Sequence, residues 1–298
     1  MALEAEPVRH NADRLRATYR RRHLTGRFGL YLLAIIAAFC SAAPFLWGAI
    51  TALKLNADLY NPNNNPFIFN NPPTLDHLLF LFTETPFLTF IWNTLWMGSL
   101  VVVITLVLGL PAAYALARLE RPWSGPMAIA IFFVYLVPPS LLFLSLSRIV
   151  VWLNLQDSTW ALVVIYPTFT IPVSVWLLFG FLRSIPKDIE QQAMVDGYSR
   201  LGAFVRVVIP IMFPGIVAVV VFAFTLAASE FLYALAFVSP TGEKPISTGV
   251  PTVLIRGDVY FWQSLQAATF VVAVVIALVF NLFLDRFVHG FTMGAVKG

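Results

Sequence analysis

One carboxylate stands well inside an apolar run of this sequence: Glu230, in Ala228-Ser229-Glu230-Phe231-Leu232-Tyr233. A carboxylate in hydrocarbon is costly and by default marks a cavity or a buried partner. With Tyr233 three residues on, it can hydrogen-bond a hydroxyl-rich solute in a substrate pathway, or it can hold a structural or gating contact. Intramembrane hydrolysis would need a nucleophile and a base beside it, yet His10, His23, His77 and His289 all fall outside the apolar runs. A metal site lacks its ligand set, because the chain offers one cysteine, Cys40, and scattered histidines. Cys40 has no second cysteine to pair with and reads as a small buried apolar residue. None of Lys54, Lys187, Lys244 or Lys297 follows a Gly-x-x-x-x-Gly frame, so the chain carries no nucleotide-binding loop and is not read as an enzyme.

The elements that must hold Glu230 are apolar to an extent no soluble fold hides. Of 298 residues 59% are hydrophobic and 11% charged, with a mean hydropathy of +0.81, whereas soluble domains carry about 25% charged residues. The apolar residues fall into blocks near 28–53, 90–117, 127–147, 159–182, 212–238 and 262–284, the length that a ~30 Å hydrocarbon layer demands of a helix. Six transmembrane helices are therefore expected, between a basic tail over 1–27 and a short tail over 285–298. The first run continues to Leu53, too long for a secretory signal core, and reads as a retained span. The segment 54–89, with Asn61-Pro62-Asn63-Asn64-Asn65-Pro66 and Asn70-Asn71-Pro72-Pro73, reads as a connector with no periodicity.

Charge gives these spans a direction. With the N-terminus cytoplasmic, the inside segments hold 15 of the 19 Lys and Arg and the outside segments hold Lys54, Arg148, Lys244 and Arg256. That partition follows the positive-inside rule, placing both termini in the cytoplasm. It also explains the net charge of +4 without nucleic acid, since the basic residues are not clustered with aromatics on one face.

The inside segment 183–214 is patterned as two helices. Ser184 can cap a first short helix, Pro186 fits its first turn, Asp188 and Glu190 suit its positive end, and Gly197 stops it. Ser199 can cap a second, whose apolar Leu201, Phe204, Val205, Val208 and Ile209 recur at three and four. Pro210 and Pro214 bend the chain into the next span. Twelve residues from Ile185 to Asp196 make a rod of about 18 Å, able either to dock in a groove on a cytoplasmic partner or to lie on the headgroups.

The run Glu190-Gln191-Gln192-Ala193-Met194-Val195-Asp196-Gly197, followed thirteen residues after the glycine by Pro210 in Val207-Val208-Ile209-Pro210, resembles the EAA loop of ABC importer permeases. It departs from that motif where Gln191 replaces a Glu and Gln192 an Ala. The tail Gly290-Phe291-Thr292-Met293-Gly294-Ala295-Val296-Lys297-Gly298 is similar to that of the maltose-type carbohydrate permease subunits, as are Asn93-Thr94-Leu95 and Ala113-Tyr114-Ala115-Leu116-Ala117-Arg118 to their second span. The resemblance implies an all-α integral membrane protein with the type I ABC importer permease fold and a cytoplasmic coupling-helix loop over 183–211. It implies an inner-membrane subunit translocating a sugar or oligosaccharide by alternating access. Its implied partners are a homologous second permease, two ATP-binding subunits carrying ATP and Mg, and an extracytoplasmic solute-binding protein. It further implies that Glu190, Gln191, Gln192, Ala193, Asp196, Gly197 and Pro210 couple to the ATPases, with Gly294, Lys297 and Gly298 reaching the same partners. The alternatives are an ion-coupled carrier, which would want several intramembrane charges, and an ABC permease for another solute.

Overall fold

The computed structural model of the protein describes residues 6–118 and 122–295, with side chains over 29–118, 122–278 and at 281. It contains two compact units, Met1–Thr74 and Leu75–Gly298.

In the first unit, α1 runs over Glu6–Ala52 and contains the apolar stretch Gly29–Ala52, whose mean hydropathy is 2.1 and almost none of which is covered. Cys40 is exposed on it and not buried as expected, consistent with a helix that gives its surface to lipid. A short helix α2 (Asn56–Leu59) follows, and the Asn-rich loop folds back around Asp58. The Asp58 carboxylate accepts hydrogen bonds from Asn64 Nδ2 (2.9 Å), Asn70 Nδ2 (2.8 Å) and Asn70 N–H (3.1 Å). Lys54 Nζ lies 3.6 Å from it and donates to the Asn65 carbonyl at 3.1 Å. Burial alone would raise the Asp58 pKa, but the Asn70 and Asn64 hydrogen bonds and the Lys54 charge outweigh it and hold the carboxyl below its ordinary value of 3.8.

The second unit is built from α3 (Asp76–Thr83), α4 (Phe87–Arg118), α5 (Ser124–Tyr135), α6 (Pro139–Trp152), α7 (Thr159–Ile165), α8 (Pro167–Ser184), α9 (Lys187–Val195), α10 (Arg200–Ala203), α11 (Ile209–Ile211), α12 (Phe213–Ser229), α13 (Leu232–Phe237), α14 (Ile246–Leu254) and α15 (Trp262–Ala295). A two-residue hairpin, β1 (Ile255–Arg256) with β2 (Val259–Tyr260), precedes α15, and Gly257 supplies its positive φ of 61°. Helix α3 lies in the segment that the Asn/Pro pattern had marked as connector, because its apolar Leu78, Leu79, Phe80 and Leu81 are too few to show a period.

Among the described residues, three helices are long and apolar enough to cross a membrane: Gly29–Ala52, Phe87–Arg118 and Thr159–Ser184. Two further candidates are broken. Helices α5 and α6 meet at 87°, and Arg200–Ile211 meets α12 at 75°. Pro138-Pro139 explains the first break, since a proline pushes the residue before it out of the α region and Pro138 is extended (φ −56°, ψ 132°). Apolar α15 is described with its side chains mostly to Leu278. The run expected over 212–238 is one helix only to Ser229, where Glu230 is extended (φ −67°, ψ 129°) and α13 begins anew.

Helices α4 and α8 pack along one another, with α5 on α8 and α12 against α4, α8 and α15. A buried Thr105–Thr170 hydrogen bond of 2.7 Å joins the central pair. At Gly249 on α14 the Phe90 ring lies where a β-carbon would stand, 2.5 Å away, so that close approach of α14 to α4 requires glycine. One core layer, around Leu116, Leu178, Leu182, Phe204 and Met212, lies toward the 183–214 loop. Another, around Met97, Leu162, Ile165, Tyr166 and Tyr233, lies toward the far end. There Asn93 Nδ2 donates to the carbonyls of Gly242 (2.8 Å) and Lys244 (3.0 Å), and Thr94 Oγ1 accepts from Ile246 N–H at 2.8 Å.

Candidate functional site

Helix α9 is set by its flanks. Ile185 precedes Pro186 and is extended (φ −86°, ψ 123°), so α8 cannot run on. Ser184 is consequently the last residue of α8, its hydroxyl donating to the Phe181 carbonyl at 2.7 Å, and Pro186, expected in the first turn of α9, takes the cap position expected for Ser184, without a side-chain cap. Asp188 and Glu190 occupy the first turn. At the other end Tyr198 N–H donates to the Ala193 carbonyl (3.1 Å) and Gly197 N–H to that of Met194 (3.2 Å), a Schellman closure with Gly197 at φ 94°. Ser199 Oγ then accepts from Gly202 N–H at 3.1 Å and caps α10. The expected second helix continues as one π turn, Phe204–Val208, into α11, whose second residue is Pro210.

Successive residues of α9 are turned by about 100°, which divides the expected coupling residues between two faces. Glu190 (5% exposed) and Ala193 (6%) are buried, while Gln191, Gln192 and Asp196 are exposed. The buried carboxylate is held by the last turn of α4. Arg118 Nε donates to Glu190 Oε2 at 2.9 Å, the Tyr114 hydroxyl donates to Oε1, and Arg118 Nη2 donates to the Ile185 carbonyl at 3.3 Å. Tyr114 and Arg118 are four apart and so share a helix face. The Tyr114 ring also packs on Phe204, with centroids 4.2 Å apart, so one turn of α4 grips both the first and the second part of the loop. The charges of the ion pair are each about 6% exposed at the side chain, which makes the clamp rigid as long as both members are present.

Among the described residues, the opposite face has no such ion pair. Val195 is 86% exposed and Leu201 70%. Asp188, Gln191, Gln192, Val195 and Asp196 line an open hollow of about 410 Å³. An apolar Val195 among polar neighbours on a projecting helix suits a surface that another protein covers. Gly294 falls in the last turn of α15, and Lys297 and Gly298 lie outside the described residues.

Glu230 is occupied by its own helix break. Its carboxylate accepts from Tyr233 N–H (3.0 and 3.1 Å), Ala234 N–H (3.2 Å) and the Tyr166 hydroxyl (2.9 Å). It thereby satisfies donors that the first turn of α13 cannot satisfy internally. Tyr233 is buried and turns its hydroxyl to the Pro139 carbonyl at 2.6 Å, tying this break to the start of α6. Both residues thus tie the helix break to its neighbours, Glu230 to Tyr166 and Tyr233 to α6. The sequence had not paired Arg118 or Tyr114 with Glu190. A cation ending an apolar span was the one local signal, and the partner is 72 residues away.

The family model for binding-protein-dependent transport system inner membrane components matches residues 31–292. The sulfoquinovosyl glycerol transport system permease protein SmoH of Agrobacterium fabrum is 34% identical over 257 residues, 86% of this chain and 88% of that protein. The diacetylchitobiose uptake system permease protein DasC of Streptomyces coelicolor is 28% identical over 281 residues, 93% of this chain and 100% of that protein. Among solved structures, a chain of a bacterial ABC transporter involved in the import of the acidic polysaccharide alginate superposes with a TM-score of 0.72 at 17% identity, covering 90% of this chain and 98% of that one, which establishes a shared fold.

Proposed function

This chain belongs to the family of binding-protein-dependent transport system inner membrane components, and from that premise we propose that it is the permease half of an ATP-driven importer for a sugar or oligosaccharide. The solutes for which these relatives are named, sulfoquinovosyl glycerol and diacetylchitobiose, support the carbohydrate class. It works beside a second, homologous permease, with two subunits that bind ATP and Mg, and receives solute from an extracytoplasmic binding protein. Both termini and the 183–211 loop face the cytoplasm, as the 15-to-4 partition of basic residues favours.

The observation that carries the coupling role is the two-faced α9. Its exposed Gln191, Gln192, Val195 and Asp196 offer a docking surface, and its buried Glu190 is clamped to α4. When ATP closes the partner subunits, a displacement of α9 passes through Glu190 to Arg118 and through Phe204 to the core shared by α4, α8 and α12. The spans then move with the loop, and ATP binding supplies the differential affinity that shifts inward-open toward outward-open. Gly197 lets the chain reverse at the end of α9, and Pro210 stands where the loop bends back into α12. Gly294, Lys297 and Gly298 contact the same partners, as the family resemblance implies.

The test is ATPase activity of the assembled importer in lipid, with and without solute-loaded binding protein. Val195→Arg places a charge in the docking face without touching the clamp. Loss of stimulation and of ATPase co-purification is expected; stimulation at the wild-type level overturns the assignment of this face.

A further inference from the structure

We propose that the tip of the Asn-rich loop, Phe67-Ile68-Phe69, inserts into the bilayer interface beside the C-terminal end of α1 and anchors this unit to lipid. All three side chains are exposed, Phe67 by 69%, and Asn63, Asn65 and Asn70 around them are exposed as well. An apolar patch with such a polar rim marks an interaction site. The tip is held at both ends. Buried Asp58 accepts from the side chains of Asn64 and Asn70, which flank it. The Asn65 carbonyl accepts from Lys54 Nζ (3.1 Å) and Asn70 Nδ2 (3.0 Å), and Phe67 N–H closes a turn on Asn65 Oδ1 at 2.9 Å. A surface that covers the tip therefore gains its apolar area without having to order the loop.

Depth and charge point to lipid as the occupant. The Phe67 ring packs edge-on against Trp47, with centroids 5.1 Å apart. Trp47 belongs to the apolar stretch Gly29–Ala52, whose 24 residues rise about 36 Å at ~1.5 Å per residue. It stands about 8 Å from the end of that stretch, near the boundary of a ~30 Å hydrocarbon layer. Aromatic rings anchor helices at this level, and the contact holds Phe67 there too. The stretch leaves its own apolar surface uncovered, so lipid that lies along α1 meets Trp47 and the ring against it. From Leu59 to Leu75 the sequence holds no charged side chain, so insertion strips no ion of its water. The inference lies outside the transport reading and needs only that α1 spans a bilayer.

The experiment is spin-label accessibility in the whole importer, reconstituted in phosphatidylcholine vesicles with cysteine-free partner subunits. The chain's one cysteine is removed by C40A. A nitroxide is then placed by I68C in the tip, by N63C in the rim, or by L33C on the exposed surface of α1. Oxygen concentrates in hydrocarbon and a nickel chelate stays in water. Collision with oxygen is expected to exceed collision with nickel at positions 68 and 33, and the order is expected to reverse at position 63. A nickel preference at 68 equal to that at 63 puts the tip in water. Shielding of position 68 from both reagents assigns the tip to a neighbouring subunit, and loss of its oxygen preference on addition of solute-loaded binding protein assigns it to that protein. Each of these three results overturns the lipid anchor. Binding-protein-stimulated ATPase activity, measured on the same labelled preparations, reports separately on the transport reading.

Discussion

Removing the Glu190 carboxylate tests whether α9 is held to α4 by its ion pair. In Glu190→Ala the Arg118 guanidinium, with a side chain only 6% exposed, loses its counter-charge, and the Tyr114 hydroxyl loses its acceptor. Breaking a buried pair from one side costs about 3–5 kcal/mol. Arg118 is the last residue of α4 and its long stem can swing toward water, so about 3 kcal/mol applies here. At about 1.4 kcal/mol per factor of ten, the population with α9 undocked rises roughly 150-fold. Hydrogen exchange of the assembled importer reads this directly, as faster exchange confined to Ile189–Val195 while α8 stays protected. Glu190→Gln keeps the shape and loses the charge assistance of one hydrogen bond, about 1.5 kcal/mol, which gives roughly a tenfold increase. The double variant Glu190→Leu with Arg118→Met buries no unpaired charge and recovers most of the protection lost in Glu190→Ala. Exchange of α9 within twofold of wild type in Glu190→Ala would refute the clamp.

Three further outcomes follow from the same geometry. Glu230→Gln offers an amide where three donors converge, so the turn into α13 weakens and the transport rate falls while the solute concentration for half-maximal transport stays constant; a changed half-maximal concentration at an unchanged rate would make Glu230 a solute contact. Gly249→Ala drives a methyl into the Phe90 ring, and overpacking of about 1–3 kcal/mol lowers the thermal midpoint; an unchanged midpoint would mean that α14 moves freely. Asp58 has a depressed folded pKa, so its contribution to the order of the Asn-rich loop is fully present above 3.8 and is lost as pH falls through the folded value. Proteolysis of the segment around Asn61–Asn71 should accelerate only in strong acid, and acceleration already near neutral pH would contradict the assignment.

Much of this protein was legible residue by residue. Apolar blocks of spanning length, the stop at Gly197 and the cap at Ser199 depend on hydropathy and on backbone preferences a few residues wide, and the structure places a positive φ and a capping hydrogen bond at the last two. Local rules also gave Ser184 a cap that the structure assigns elsewhere, because the extended residue before Pro186 ends α8 first. The 100° step between Glu190 and its neighbour was readable as well, though not what each face meets. That was decided by packing across 72 residues, where Arg118 and Tyr114 hold the Glu190 carboxylate against α4. Glu230 followed the same course. Its cost in an apolar run was evident in the sequence, but which donors offset that cost depended on a helix break and on Tyr166, 64 residues away. Asn93 and Thr94, recognisable as a motif, find their partners about 150 residues later. Short-range preference fixes what a segment can be, whereas desolvated charges and hydrogen bonds take their meaning from whichever distant groups the tertiary fold brings within 3 Å.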